Sequence, residues 1–284
     1  MASPWREIGD GVFVRRYAFY DQNIVAVIDR GQALVVDTRS SHRQAAEIQA
    51  DLRALGAPRV TAIVNTHGHH DHCFGNRPFR PAAIWGHDRC VTMIREAGDR
   101  RRAELSVEMP ELAAELGEVV LDPPDRTFAD RATVEVGGRV VNLAYLGRGH
   151  TDNDIVLHVP HADVLCAGDL LENGATPFFG DGYPMEWAAT VEAMLPFIGG
   201  RTVVVPGHGD RAGRAFAEAS LEAFGAVAAL ARRVHAGELT LDAAIGVSPY
   251  PADASREPLE RALAQLRGEL DTQADARANA DSRG

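Results

Sequence analysis

A chain of 284 residues with 45% hydrophobic and 24% charged side chains, 27 glycines and 15 prolines is composed like an ordinary globular protein, not a disordered or fibrous one. Its 40 acidic against 29 basic residues leave a formal charge of -11, and with only the short Arg100-Arg101-Arg102 run as a basic cluster, nucleic acid is not an expected partner. Three cysteines without Cys-x-x-Cys spacing, an amino terminus (MASPWREIGDG) with no apolar leader, and no apolar run near the ~20 residues that span a bilayer point to a reduced, cytoplasmic setting away from membranes.

The first third alternates short β-branched runs with turn residues. Val12 to Tyr17, Asn23 to Ile28 and Ala33 to Asp37 read as strands joined at Asp21-Gln22 and Arg30-Gly31, an antiparallel meander. Ser41 opens an amphipathic helix with Ala45, Ile48, Leu52 and Leu55 on one face and Gly56 as its stop. Arg59 to Asn65 is a mostly apolar strand that runs straight into Thr66-His67-Gly68-His69-His70-Asp71-His72. A strand at Ala82 to Trp85 and helices from Asp88 to Leu116, broken before Pro110, come next.

A second β region then repeats the plan of the first. Its strands are Thr133 to Val136, Arg139 to Tyr145, Asp154 to Val159 and Asp163 to Ala167, followed by a helix over Met185 to Ile198 and an apolar strand over Thr202 to Val205. From Arg211 the chain is Ala-rich, with Phe216, Leu221, Phe224, Val227, Leu230 and Val234 on one helical face; further helices are expected over Leu239 to Ile245 and Arg256 to Leu270. Residues 272–284 carry almost no large apolar side chain and are expected to fray. The whole reads as α/β (α+β): a main domain over 1–210, and C-terminal helices over 211–271 packed on it or extending it.

The histidine loop is where composition becomes chemistry. His67, His69, Asp71 and His72 place four groups of the types that ligate zinc within six residues, just past a strand. Without a cation, several buried imidazoles and a carboxylate would each need a separate partner, at roughly 1–3 kcal/mol per unsatisfied group. Gly68 is small enough to let neighbouring side chains converge by a tight turn. Further ligand types end later strands beside glycines, in Gly149-His150-Thr151, Ala167-Gly168-Asp169 and Pro206-Gly207-His208-Gly209. Each alone is an ordinary turn; together with the loop they offer seven candidate ligands, enough for two metals.

With these residues the chain resembles the metallo-β-lactamase superfamily, whose His-x-His-x-Asp-His hallmark is met by His67, His69, Asp71 and His72, with the later motifs in the same order over residues 10 to 210. The resemblance implies a four-layer αβ/βα sandwich with a C-terminal helical extension. It implies two divalent metal ions, zinc foremost with iron or manganese open. His67, His69 and His150 would hold one, Asp71, His72 and His208 the other, and Asp169 would bridge them. It also implies a hydroxide nucleophile held by the metals, and an acid/base role for Asp71. Zinc β-lactamases carry a cysteine where this chain has Asp169, which makes the site more like the glyoxalase II and lactonase branches.

Other residues bear on the substrate. His70, at a variable position of the motif, is expected to point away from the metals by alternation along the loop, and Cys73 is left outside the ligand set. Asp37, ending a strand, fits a hydrogen-bonding support for the metal loop. Two aromatic segments, Tyr17 to Tyr20 and Thr176 to Tyr183, could wall a pocket, although Phe178, Phe179 and Trp187 fit a helix core equally well. Glu172 stands where zinc β-lactamases use a lysine to hold the drug carboxylate, which argues against β-lactams. The expected function is hydrolysis of a small carbonyl substrate (lactone, ester, thioester or lactam). Phosphodiester hydrolysis by the same metal pair and iron-dependent sulfur dioxygenation or redox chemistry are the alternatives.

Overall fold

The computed structural model describes residues 5–56 and 59–270. The tail expected to fray, 272–284, lies outside the described residues, as does most of the stretch (1–4) on which a leader would begin. Two compact units are formed, one from Met1–Leu146, Asn153–Ala175 and Pro196–Arg214, the other from Gly147–Asp152, Thr176–Leu195 and Ala215–Gly284.

The first unit holds every strand among the described residues: β1 (Arg6–Gly9), β2 (Val12–Tyr17), β3 (Gln22–Asp29), β4 (Gln32–Val36), β5 (Arg59–Val64), β6 (Ala83–His87), β7 (Arg126–Phe128), β8 (Arg131–Val136), β9 (Arg139–Tyr145), β10 (Ile155–Val159), β11 (Val164–Asn173) and β12 (Val203–Gly209). They divide into two hydrogen-bonded halves. In one, β2 to β4 form the expected antiparallel meander, β1 adds an antiparallel edge to β2, and β5, β6 and β7 continue the sheet in parallel. In the other, β12 lies parallel to β11, and β10, β9 and β8 follow in antiparallel order. A single pairing, Gln22 with His208, joins β3 to β12 and so links the halves.

Side chains alternate across each strand, and that period decides the layers. Val25 and Val27 of β3, Leu34 and Val36 of β4, and Val64 of β5 share one buried cluster with Val136, Val141, Leu157, Val164 and Val205 of the other half, so the two halves pack face to face. The intervening residues Ile24, Ala26, Val35 and Ile63 face the opposite way, onto Ala45, Ile48 and Leu52 of α1 (His42–Ala54). A one-residue slip in any of these strands would exchange the two cores, which fixes the register. Ser41 caps α1 by accepting from the Gln44 N–H, and Gly56 ends it at φ +77°. Beyond β6, α3 (Asp88–Glu108) and α4 (Ala113–Gly117) are separated at Pro110 as expected.

Within the second unit, α5 (Pro184–Met194), α6 (Arg214–His235), α7 (Leu241–Ile245) and α8 (Ala252–Leu266) surround Val227, Leu230, Ala244, Leu259 and Ala262. Trp187 stacks on Phe224 at 4.6 Å, with Phe179 at 4.9 Å from Trp187. No helix among the described residues is long and apolar enough to cross a membrane.

Three departures from the expected elements matter below. The strands β1 and β7, with four and three residues, are too short to show a periodicity. The motif His70–Cys73 forms one turn of helix, α2, not an extended loop. Finally, β11 and β12 continue through Asp169 and His208, which therefore sit inside strands and not in turns after them. Gly168, at φ +54°, and the bulges flanking it in the β11–β12 ladder break the alternation that would have marked the continuation.

Candidate metal centre

Within the first unit the candidate ligands arrive from three directions. The chain leaving β5 carries His67 and His69, the α2 turn carries Asp71 and His72, and β11 and β12 supply Asp169 and His208. His67, His72 and Asp169 offer ligand atoms all within 4.8 Å of one another, and so do Asp71, His72 and His208. His150 belongs to the second unit, where its Nδ1 lies 3.1 Å from the Phe178 carbonyl and its ring against Trp187.

Hydrogen bonds fix which face of each imidazole is basic. The Nδ1 of His208 is 2.6 Å from the Tyr20 carbonyl, and that of His72 is 2.8 Å from Asp37 Oδ2. A carbonyl or carboxylate oxygen can only accept, so both Nδ1 atoms carry a proton, and in the neutral rings both Nε2 atoms present a lone pair. The same logic makes Nε2 the basic nitrogen of His150. The Nε2 atoms of His72 and His208 are 3.3 Å apart. Asp71 Oδ2 lies 3.2 Å and 3.4 Å from them, and Asp169 Oδ2 3.4 Å and 3.2 Å.

With both imidazoles neutral, these are four acceptor atoms with no donor among them, and they should repel unless a cation lies between them. Their spacing has a simple explanation: bonds of roughly 2.0–2.1 Å from a tetrahedral zinc put adjacent ligand atoms about 3.3–3.4 Å apart. The residues therefore fit a divalent cation. His67 and His69 continue the cluster, with His67 Nε2 3.0 Å from His69 Nδ1 and 3.8 Å from the shared Asp169 Oδ2.

The charges point the same way. Burial opposes ionisation of every group here, yet His72, His70 and His208 hold the Asp71 carboxyl well below the usual range, and His208, His72 and His67 do the same for Asp169. Reciprocally, burial is outweighed by Asp169 and Asp71, which lift the His208 imidazolium to about 11 and that of His72 well above its ordinary value. The centre thus stabilises positive charge, whether protons or a metal supply it.

Around this centre lies a second ring of polar groups. Asp37, buried, accepts from the Thr66 N–H and hydroxyl at 2.8 Å each as well as from His72, which is the support expected of it. The His72 carbonyl accepts from Asn65 Nδ2 at 3.0 Å and Thr38 Oγ1 at 3.1 Å, Gln22 Nε2 donates to the Asp71 carbonyl, and Asn153 Oδ1 accepts from the Gly68 N–H at 2.9 Å. Of these only Asp37 was singled out from the sequence. Asn65 carried a signal, a polar residue closing an apolar strand directly before the motif; the others did not.

Other expectations are refined. His70 does lie off the centre, but through the helical turn and not by alternation: its ring packs on Tyr20 and Phe74, and burial pushes its imidazole down to about 4. Gly68 does not adopt a positive φ. Its value is space, because a methyl group there would crowd Met93 of α3. At Gly207 a methyl group would overlap the Asp169 carboxylate, so glycine is required for Asp169 to reach the cluster. Cys73 is buried with its thiol pushed up by burial, and it donates to the Gly68 carbonyl. Of the second aromatic segment, Phe179 and Trp187 are core, whereas Phe178 is 51% exposed.

A model of the metallo-beta-lactamase superfamily matches residues 18–208. The metallo-beta-lactamase type 2 of Bacillus cereus is 28% identical over 155 residues, 54% of this chain and 53% of its own length, so the chain spans about half of that relative. Among solved structures, the metallo-beta-lactamase from Pontibacter korlensis superposes with a TM-score of 0.62 at 18% identity, covering 78% of this chain and 98% of its own. A double mutant of the sec-alkyl sulfatase PisA1 reaches 0.74 at 17% identity and covers 93% of this chain, with 50% of the sulfatase included. At such identities the superpositions establish the fold.

Proposed function

The chain belongs to the metallo-β-lactamase superfamily, and from that premise we propose that it is a hydrolase dependent on two divalent metal ions, zinc foremost, acting on a small carbonyl substrate. The observation that carries the reading is the convergence of His72 Nε2, His208 Nε2, Asp71 Oδ2 and Asp169 Oδ2 at 3.2–3.4 Å. In this reading Asp71, His72 and His208 hold one ion, Asp169 bridges, and His67, His69 and, by the sequence pattern, His150 hold the other.

When bound, such a pair supplies hydroxide near neutral pH and an electrophile for the scissile carbonyl. The protein's own part is orientation and proton handling. Asp37 and the Tyr20 carbonyl keep the basic nitrogens of His72 and His208 aimed inward. The ionised Asp71 carboxylate orients the attacking water and passes its proton to the leaving group, so no serine or cysteine nucleophile is needed. The same reading makes a small molecule the expected partner.

Glu172 bears on substrate choice. It follows Asp169 in β11, is half-buried and is the register partner of His208. A carboxylate there repels the carboxylate of a β-lactam, so lactones, esters and thioesters rank above lactams. The long superposition on a sec-alkyl sulfatase supports sulfate esters as a second reading. A panel of chromogenic lactone, thioester, lactam, phosphodiester and secondary alkyl sulfate substrates decides between them. The expected outcome is that a lactone or thioester has the highest kcat/KM; fast sulfate or phosphodiester cleavage with no carbonyl activity would reverse the assignment.

A further inference from the structure

Arg261 and Gln265 stand one turn apart on α8 and share a face of it. Gln265 acts twice. Its Oε1 accepts from the Met185 N–H at 3.0 Å, in the first turn of α5 where amide groups have no helical partner, and its Nε2 donates to Glu186 Oε1 at 2.6 Å. Glu186 is also held at two points by Arg148, Nε to Oε2 at 2.9 Å and Nη2 to Oε1 at 2.6 Å. The Arg148 carbonyl in turn accepts from Thr190 Oγ1 of α5 at 2.7 Å.

A second route starts from Arg261, whose Nε donates to the Gly182 carbonyl at 2.9 Å. The next residue, Tyr183, donates its N–H to the Gly149 carbonyl at 2.7 Å and lies under the Arg148 guanidinium. Both routes end on the two residues that precede His150. The Phe178 carbonyl that fixes His150 Nδ1 comes from the same 176–183 segment that Arg261 ties down.

We propose that α8 is the positioning element of His150, with Gln265 and Arg261 as its positioning residues, so that the C-terminal helices govern the metal that His150 helps to hold. The inference rests on the reading of His150 as a ligand. An imidazole ligand has to be held to within about 0.5 Å and 10–20°, and α8 reaches both Gly182 and Glu186 through side chains one turn apart.

Zinc binding to the full chain, measured by competition with a chromophoric chelator and alongside circular dichroism, tests this without any substrate. The double variant Gln265→Ala/Arg261→Ala is expected to bind one zinc about 10–100-fold more weakly and the other as the unaltered protein does. The single variant Arg261→Lys, which keeps a cationic donor toward the Gly182 carbonyl and leaves Gln265 in place, should stay close to the unaltered protein. Arg256→Ala, also on α8, removes only surface pairs with Asp242 of α7 and Glu260 of α8 and should change neither affinity. Two unchanged affinities in the double variant, or equal weakening of both with the Arg256→Ala control intact, would overturn the proposal. His150→Ala separates the underlying reading: it should abolish the weakened site, and if both zinc ions stay bound as before, His150 is not a ligand and the assignment of the first metal fails independently of α8.

Discussion

Asp71→Asn is expected to lower kcat by about 10²–10⁴-fold on the best substrate of the panel while leaving a folded protein that still binds metal. The amide has the shape of the carboxylate and keeps one oxygen to face His72 and His208, which lie 3.2 Å and 3.4 Å from the present Oδ2. It has lost the charge that those imidazoles stabilise and the capacity to take a proton from water. A charge-assisted contact becomes a neutral one, and the proton transfer has no acceptor. The decisive comparison is kcat per bound metal in the two proteins. Turnover unchanged in the metal-replete variant would remove Asp71 from the acid/base role and leave it a ligand only.

Asp37→Ala should act on stability first. Three donors, the Thr66 N–H and hydroxyl and His72 Nδ1–H, would lose their acceptor inside the protein. Breaking a buried network of this kind costs about 3–5 kcal/mol, which for a protein of this size lowers the melting temperature by on the order of 10 °C. Asp37→Asn separates stability from ligation. The amide oxygen can still accept from Thr66, but its NH2 faces His72 Nδ1 and drives that ring to the other tautomer. Nε2 then carries a proton and cannot ligate. The Asn variant is therefore expected to melt closer to the unaltered protein, yet to bind zinc about 10–100-fold more weakly. Thermal unfolding with and without zinc, followed by a zinc titration, reads both effects; an Asn variant with unchanged zinc affinity would show that Asp37 does not set the tautomer.

Much of this was legible before any coordinates. The strands up to Asp37, the capped helix from Ser41, the break at Pro110 and the family itself follow from short-range periodicity and from a motif whose donor types have one common chemical use. What escaped the sequence had non-local causes. The carbonyl that orients His208 belongs to Tyr20, at φ +58° in a turn nearly two hundred residues away, and a backbone carbonyl has no side-chain signature. Gln22 and Asn153 acquire their roles from strand pairing and loop approach, which composition does not encode. Asp169 and His208 were recognised as ligand types but set in turns, since glycines beside them normally end strands; here Gly168 re-aims a strand that continues. The C-terminal helices gave a clear apolar stripe and no hint of the polar face on α8, because Arg261 and Gln265 look like any solvated helix residues until their partners, the Gly182 carbonyl and the first turn of α5, are known.

The central claim is that the cluster of His67, His69, His72, His208, Asp71 and Asp169 exists to hold metal. Elemental analysis of protein purified without added metal, repeated after chelation and after re-addition of zinc, measures it directly. The account predicts about two divalent ions per chain, zinc foremost, with activity lost on chelation and regained with zinc. Metal-free protein that keeps full activity, or protein that takes up no stoichiometric metal under any of these conditions, would contradict it.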